Sequence, residues 1–549
     1  MVRAYYNNPE MVRQLASRLE PWEVHPEKGF LVAEVDQELF TWMQSIGFRV
    51  EVDPALTSLI QQPAALLPDQ VNGIPGFPCY RTVEETYLTA ENIAISYPNL
   101  ATWLDIGDSW EKANPGGDQG YDLHVLRLTN SQTAGEKPGL FIMSGLHARE
   151  YAPAELNSRF AEYLVENYGV DPDITWLLDY NEVHLLLQAN PDGRKKAESG
   201  LPWRKNTDNL YCSNSNSRGV DLNRNFDFQW GCCSGSSTFQ CDEVYRGPTA
   251  SSEPETQSIQ NYVRSHFPDQ RQDALSSPAP SDAEGIFLDL HSYGQLVLWP
   301  WGFDNQDAPN GSAFQSLGRK FSYFNGYNPQ QAYELYPTDG TSDDFAYGEL
   351  GLAGYTFEMG TSFFQDCNTF ENQIMPTNLP ALLYAAKSAR RPYQSPSGPD
   401  ALSLAITPNQ VALGNPLQLS ATIDDTRYSI LGGAEPIQNI AAVEYSLDVP
   451  PWSVSPPGLT HPLLAADGSF DEQIEGVVAA VDTAGLSQGR HIAFVRGRDG
   501  AGDWGPVSAS FFYVLDPNVT PAVAFLAVIF NSFDPNAQTN PSVSLFEQR

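Results

Sequence analysis

Apolar residues along the chain change their period several times, and each change marks a different kind of unit. Near the start, Met11, Leu15 and Leu19 recur at the spacing of a helix with one apolar face. The runs GFLVAEV and FRVEV that follow read as strands, so residues 1–68 predict a small α+β unit. From Gln61 to Pro78 prolines and glycines break every run (QQPAALLPDQVNGIPGFP), which places a linker at 69–78. Between 79 and 392, short apolar runs (HVLRLTN, GLFIMSG, EVHLLLQAN, GIFLDLHS, QLVLWPWG, GYTFEMG) alternate with amphipathic stretches such as AELNSRFAEYLVENY and PALLYAAKSARR. This alternation predicts an α/β domain with a largely buried central sheet, in which ligands gather where strands end. After PYQSPSGPD the runs become short and alternating (LSLAITP, LQLSATI, AAVEYSL, HIAFVRGRD, SASFFYV), separated by Gly, Pro and Asp turns. Residues 400–516 therefore predict a separate immunoglobulin-like β-sandwich. The tail, 517–549, carries one apolar stretch, PAVAFLAVIF, about half the length needed to cross a bilayer.

A chain of 549 residues exceeds what one hydrophobic core supports, in keeping with several domains. Its 31 basic and 67 acidic residues leave a net charge of −36, a field that repels nucleic acid and anionic membranes. No transmembrane segment is expected. The amino terminus (MVRAYYNNPEMVRQL) lacks the apolar core and cleavage site of a secretion signal. Either the protein is cytoplasmic, or a signal was removed and Met1 replaces it. The six cysteines favour the second reading, because Cys212, Cys232, Cys233 and Cys241 crowd into a Ser-, Gly- and Asn-rich stretch that disulfides can staple in an oxidising compartment. A zinc knuckle is the rival, although no C-x2-C pair is present.

The chemistry begins with His147 and Glu150, which follow the strand GLFIMSG in the phrase GLHAREYAPAE. An imidazole and a carboxylate on one turn can share a zinc ion. The spacing alone is weak, since His266 and Asp269 repeat it in SHFPDQ with no strand before them. His291 closes another apolar strand, and two strand-end loops can converge on one metal with a fourth position left for water. A core histidine remains the alternative there. Glu358 lies between apolar residues and a glycine in GYTFEMG, where an unpaired carboxylate is costly. Beside a zinc-activated water it suits a general base.

These phrases resemble the zinc carboxypeptidases of the funnelin (metallocarboxypeptidase) group. The resemblance rests on six motifs in order: GLHARE, NPDG with LPWRKN, GVDLNRNFD, DLHSY with LWPWG, YPTDGTSDDFAYGELG, and GYTFEMG. It implies an α/β/α catalytic domain with a mixed central sheet and one zinc ion on His147, Glu150 and His291, with Glu358 as general base. It further implies that Arg204 stabilises the oxyanion, and that Asn223 and Arg224 bind the substrate's terminal carboxylate. Arg149 adds positive potential, and Tyr336, a surface ring on the bland reading, closes over substrate. Asp343 forms the pocket floor that selects Arg or Lys while hydrophobic residues are also accepted, and Gly302 is a pocket wall. Cys212 and Cys241 fit the family disulfide, whereas Cys79, Cys232, Cys233 and Cys367 stay unassigned; a Cys79–Cys367 bond would tie the start of the domain to its last third. A structural calcium ion is left open.

The resemblance also implies that residues 1–68 are a propeptide over the active site, with an ordinary accessory domain as the alternative. No Lys or Arg lies between Arg49 and Arg81, so the activating protease is expected to cut within 61–78 with other than trypsin-like specificity. The expected function is a secreted zinc carboxypeptidase zymogen acting on peptide and protein C-termini. A peptidoglycan-trimming relative and an inactive adhesion module are the rivals. Arg224 and Asp343 speak against the first, and an intact set of ligands and base speaks against the second. The β-sandwich is open to surface or polysaccharide binding and to a purely structural role.

Overall fold

The computed structural model describes residues 1–25, 28–60, 65–212, 217–454 and 456–516; the apolar stretch of the tail lies outside them. The first unit pairs β1 (Val2–Tyr5), β2 (Glu23–His25), β3 (Phe30–Ala33) and β4 (Arg49–Val52) in the order β2-β3-β1-β4. Three helices, Pro9–Ala16, Gln37–Ser45 and Pro54–Ile60, accompany the sheet. The first is capped by the Asn8 side chain, which accepts from the Glu10 N–H at 3.0 Å. Met11, Leu15 and Leu19 are buried with Val2, Ala4 and Leu31, the apolar face that their spacing predicts.

The central domain carries β5 (Ala101–Asp108), β6 (Asp122–Leu128), β7 (Gly139–Ser144), β8 (Glu182–Leu186), β9 (Ile286–His291), β10 (Leu296–Trp299), β11 (Asn328–Gln331) and β12 (Ala353–Glu358). They form one mixed sheet of order β11-β10-β12-β9-β7-β8-β6-β5. In its centre β8, β7, β9 and β12 run parallel. Every residue of β9 is buried, as expected for a parallel strand covered on both faces. The register aligns Ser144 with Leu290, and His291 with Glu358, so three neighbouring strands end at one level.

The expected linker differs. Ile74 and Tyr80 are fully buried in the core of this domain, and the Ile74 N–H donates to the Tyr80 carbonyl at 2.9 Å. Prolines and glycines here shape a turn that inserts its apolar side chains. Residues 65–69 are exposed, and Val71 is 90% exposed.

The third unit contains β13 (Asp400–Thr407), β14 (Gln410–Ala412), β15 (Leu417–Asp424), β16 (Ile440–Leu447), β17 (His461–Ala465), β18 (Ile474–Val481), β19 (Gly489–Asp499) and β20 (Ser508–Leu515), in the order β13-β15-β18-β17-β16-β19-β20-β14. Alternating residues such as Leu417, Leu419, Ala421 and Ile423 enter its core. Buried charged groups join it to the central domain. The buried Arg319–Glu435 pair crosses the boundary, and the fully buried Lys320 lies 3.3 Å from Asp400 and 4.1 Å from the centre of the Tyr428 ring.

Disulfides join Cys79 to Cys367, Cys212 to Cys241, and the adjacent Cys232 and Cys233. Among the described residues, no helix is long and apolar enough to cross a membrane.

Candidate active site

The level strand ends assemble the site. His147 lies three residues past β7, Glu150 precedes the Tyr151–Asn167 helix, and His291 and Glu358 are the last residues of β9 and β12. His147 Nδ1 is 2.8 Å from Glu150 Oε1, His291 Nδ1 is 3.1 Å from Glu150 Oε2, and the two Nδ1 atoms are 3.0 Å apart. All three residues are buried. Among the described residues they are the one His/Cys/Asp/Glu group whose ligand atoms all lie within 4.8 Å of one another. Two imidazole nitrogens facing each other beside a carboxylate fit a zinc ion, which takes these donors.

The outer ring nitrogens complete that test. His147 Nε2 lies 3.1 Å from Asp221 Oδ1, and His291 Nε2 lies 2.9 Å from Asp289 Oδ2. A carboxylate on the outer N–H leaves the inner lone pair free to ligate. Neither aspartate was singled out in the sequence. For Asp289 the signal was its position two residues before His291 in D-L-H, where a strand puts both side chains on one face. Asp221 instead caps the short helical turn Leu222–Arg224, its side chain accepting from the Asn223 N–H, and D-L-N carries no such periodic signal.

Arg204 is buried beside the histidines. Its Nε and Nη2 donate to Asp221 Oδ2 at 3.2 and 2.9 Å. The Asn223 amide oxygen accepts from the Ser342 N–H at 3.0 Å, and Arg224 Nε donates to the Gly235 carbonyl at 3.0 Å. These residues, with Tyr336, Asp343 and Glu358, line one cavity of about 40 Å³. Burial pushes the Glu358 carboxyl well above the usual carboxylate range, with Glu150 and Glu20 adding to the rise against the pull of His291 and Arg204. Asp343 accepts from the Asp344 N–H at 2.9 Å and from the Thr356 hydroxyl at 3.3 Å.

Two expected residues sit differently. Gly302 does not line this cavity: a Cβ on it would lie 2.2 Å from Thr338 Oγ1, so Thr338 supplies the wall. Arg149 is fully buried outside the cavity, under Phe363 at 4.0 Å from the ring centre, and paired with Glu243 and Glu20. His266 stacks on Tyr262, ring centres 4.0 Å apart, at the end of the Pro254–His266 helix, away from the ligand group.

A further residue, unforeseen in the sequence, enters from the first unit. The Glu20 carboxylate bonds to Arg204, to Arg149 at 3.0 Å and to the Tyr336 hydroxyl at 3.2 Å. Burial opposes its charge, but Arg204 and Arg149 together hold its carboxyl below the usual range. Arg18 anchors the approach through two 2.7 Å bonds to Asp242, and Trp22 packs edge-on against Phe363.

A mixed eight-stranded sheet with a buried His-Glu-His group at adjoining strand ends defines a metallopeptidase-like hydrolase. The zinc carboxypeptidase profile (peptidase M14) matches residues 86–381, and the chain belongs to that family. It is 31% identical over 354 residues to a zinc carboxypeptidase of Saccharothrix mutabilis subsp. capreolus, covering 61% of this chain and 74% of the relative. It is 30% identical over 386 residues to carboxypeptidase A2 of Mus musculus, covering 68% and 83%. In fold it is similar to carboxypeptidase A from Helicoverpa armigera (TM-score 0.56, 22% identity, 71% of this chain and 97% of that one). It is likewise similar to thrombin activatable fibrinolysis inhibitor (TM-score 0.52, 23% identity, 71% and 98%). The chain is thus a zinc metallocarboxypeptidase.

Proposed function

We propose that the chain is the inactive precursor of a secreted exopeptidase that releases single C-terminal residues, Arg and Lys in preference, with hydrophobic residues also accepted. The observation that carries this reading is the convergence of His147, Glu150, His291, Arg204, Asn223, Arg224 and Glu358 on the ends of three aligned strands.

His147, Glu150 and His291 hold the zinc, which when bound supplies Lewis-acid activation of water and carbonyl. Arg224 and Asn223 bind the free terminal carboxylate, which restricts cleavage to the last peptide bond. Arg204 faces the scissile carbonyl with a permanent positive charge, so it stabilises the oxyanion as it develops. Glu358 takes the proton of the attacking water and returns it to the departing amine. Tyr336 covers the bound residue, and Asp343 meets its side chain.

Residues 1–68 act as the propeptide. Glu20 engages the two arginines and Tyr336, and so competes with substrate for the same donors. The run 65–72, exposed except for the half-buried Gln70, is the region for the activating cut, because Ile74 onward belongs to the catalytic core. Three disulfides support an extracellular location. We read β13–β20 as a sandwich whose buried ion pairs to the catalytic domain favour a structural role.

The test is mass-spectrometric release from matched peptides ending in Arg, Leu or amidated Arg, before and after proteolysis within 65–72, with and without a zinc chelator. Chelator-sensitive release from the free acids by the cleaved protein, with none from the amide, is the expected result. No release from any peptide would sink the reading. In the uncut chain, Glu20→Ala is expected to raise release about tenfold or more, as one charge-assisted contact set is lost; unchanged activity would remove Glu20 from the inhibitory role.

A further inference from the structure

Asp289 is fully buried in β9, on the same face as His291 two residues later. Its Oδ2 makes two contacts of different kinds. One is with His291 Nε2 at 2.9 Å, and the other is with the Ser342 hydroxyl, which donates at 2.5 Å. Ser342 opens the helix Ser342–Leu350 that carries Asp343. The Ser342 backbone N–H in turn donates to the Asn223 side-chain oxygen at 3.0 Å. A single carboxylate therefore touches the ligand on β9 and the segment bearing the pocket acid, and reaches the terminal-carboxylate residue through one peptide group.

The corresponding aspartate behind His147 is differently placed. Asp221 shares its charge with Arg204 through two bonds. For Asp289, no Arg or Lys forms an ion pair among the described residues; its ion-pair partner is His291. The second oxygen, Oδ1, has no hydrogen-bond partner among the described residues. Leaving a carboxylate this poorly compensated in a buried strand is costly, unless its charge is committed to a neighbouring group. Committed to His291, it keeps the proton on Nε2 and presents the Nδ1 lone pair to the ion.

We propose that Asp289 is a positioning residue through which zinc retention and selection of the C-terminal side chain depend on one carboxylate. It orients His291 for the metal and, through Ser342, sets where Asp343 and Asn223 stand relative to it. The inference rests on the zinc and pocket assignments above, and goes beyond them by joining the two functions in one residue.

Two variants test it. Asp289→Asn keeps the shape and an acceptor oxygen but removes the charge; Ser342→Ala removes only the link to the helix. Zinc affinity is read on the full-length chain by competition with a chromophoric chelator. The Arg-to-Leu ratio of kcat/KM is read after activation, and thermal unfolding of each metal-free protein checks the fold. Asp289→Asn is expected to weaken zinc about tenfold to a hundredfold and to change the Arg-to-Leu ratio. Ser342→Ala is expected to change the ratio about fivefold, the effect of roughly 1 kcal/mol of lost hydrogen bonding, with a much smaller effect on zinc. If Asp289→Asn binds zinc as the wild type does, or if neither variant alters the ratio, the proposal is overturned. Should Asp289→Asn fail to fold, the Ser342→Ala ratio alone decides, and an unchanged ratio rejects the link. Wild-type protein that binds no zinc would defeat the functional reading itself, a result distinct from variants that merely match an active wild type.

Discussion

Glu358→Gln is expected to lower kcat/KM for a peptide ending in free Arg by about 10³- to 10⁴-fold, toward the upper end of what a positioned general base contributes. The replacement is nearly isosteric. It leaves β12 paired to β9 and β10 through backbone bonds that align residue 358 with His291 and Leu296. Gln cannot accept the water's proton, whereas the proposed binding groups Asn223, Arg224 and Asp343 are untouched, so the loss should fall on kcat with KM nearly constant. Zinc content measured alongside should equal the wild type. A variant retaining more than about a tenth of the wild-type rate would assign the proton transfer to another group. Tyr336 is a weak candidate for that role, since burial first, and then Glu20, push its hydroxyl well above its ordinary range.

What the sequence made legible follows the strand ends. Apolar runs closing on His147, His291 and Glu358 revealed residues that a parallel sheet aligns, because alternation and length survive in the sequence even when pairing partners do not. Contacts between distant segments were illegible. Glu20 meets Arg149 and Arg204 across more than a hundred residues, and no local period announces a carboxylate that reaches into another domain. Asp221 and Asp289 were visible as letters, but 67 acids in the chain hide which two are buried behind a histidine. The expected linker, 69–78, differs at Ile74, which enters the core, because Pro and Gly mark turns in cores as well as between domains. Gly302 was expected as a pocket wall, and the side chain that lines the cavity beside it, Thr338, comes from a loop 36 positions later. For the adjacent cysteines, Cys232 and Cys233, pairing depends on the loop's path and is not written in their spacing.

Asp343→Asn is expected to lower the Arg-to-Leu ratio of kcat/KM by about ten- to a hundredfold, the loss of one charge-assisted pairing of roughly 1.5–3 kcal/mol. The pocket also supports the proposed acceptance of hydrophobic residues. Leu298, Ala332 and Leu335 supply apolar walls, and the acid is itself satisfied in part by the Asp344 N–H and Thr356. Burial pushes its carboxyl above the usual range, and the nearby Asp289 charge adds to the rise. The sign of the pH effect follows from that direction. Below the raised pKa the carboxyl is neutral, and an apolar side chain meets no buried charge; above it the carboxylate forms and pairs with an arginine that stays charged throughout. The wild-type Arg-to-Leu ratio should therefore rise with pH, while the Asp343→Asn ratio stays flat over the same range. Parallel pH curves for the two proteins would place selection elsewhere, with Glu334 as the next acid to test, because it lines the wider cleft of about 630 Å³ that Glu358 and Tyr336 also border.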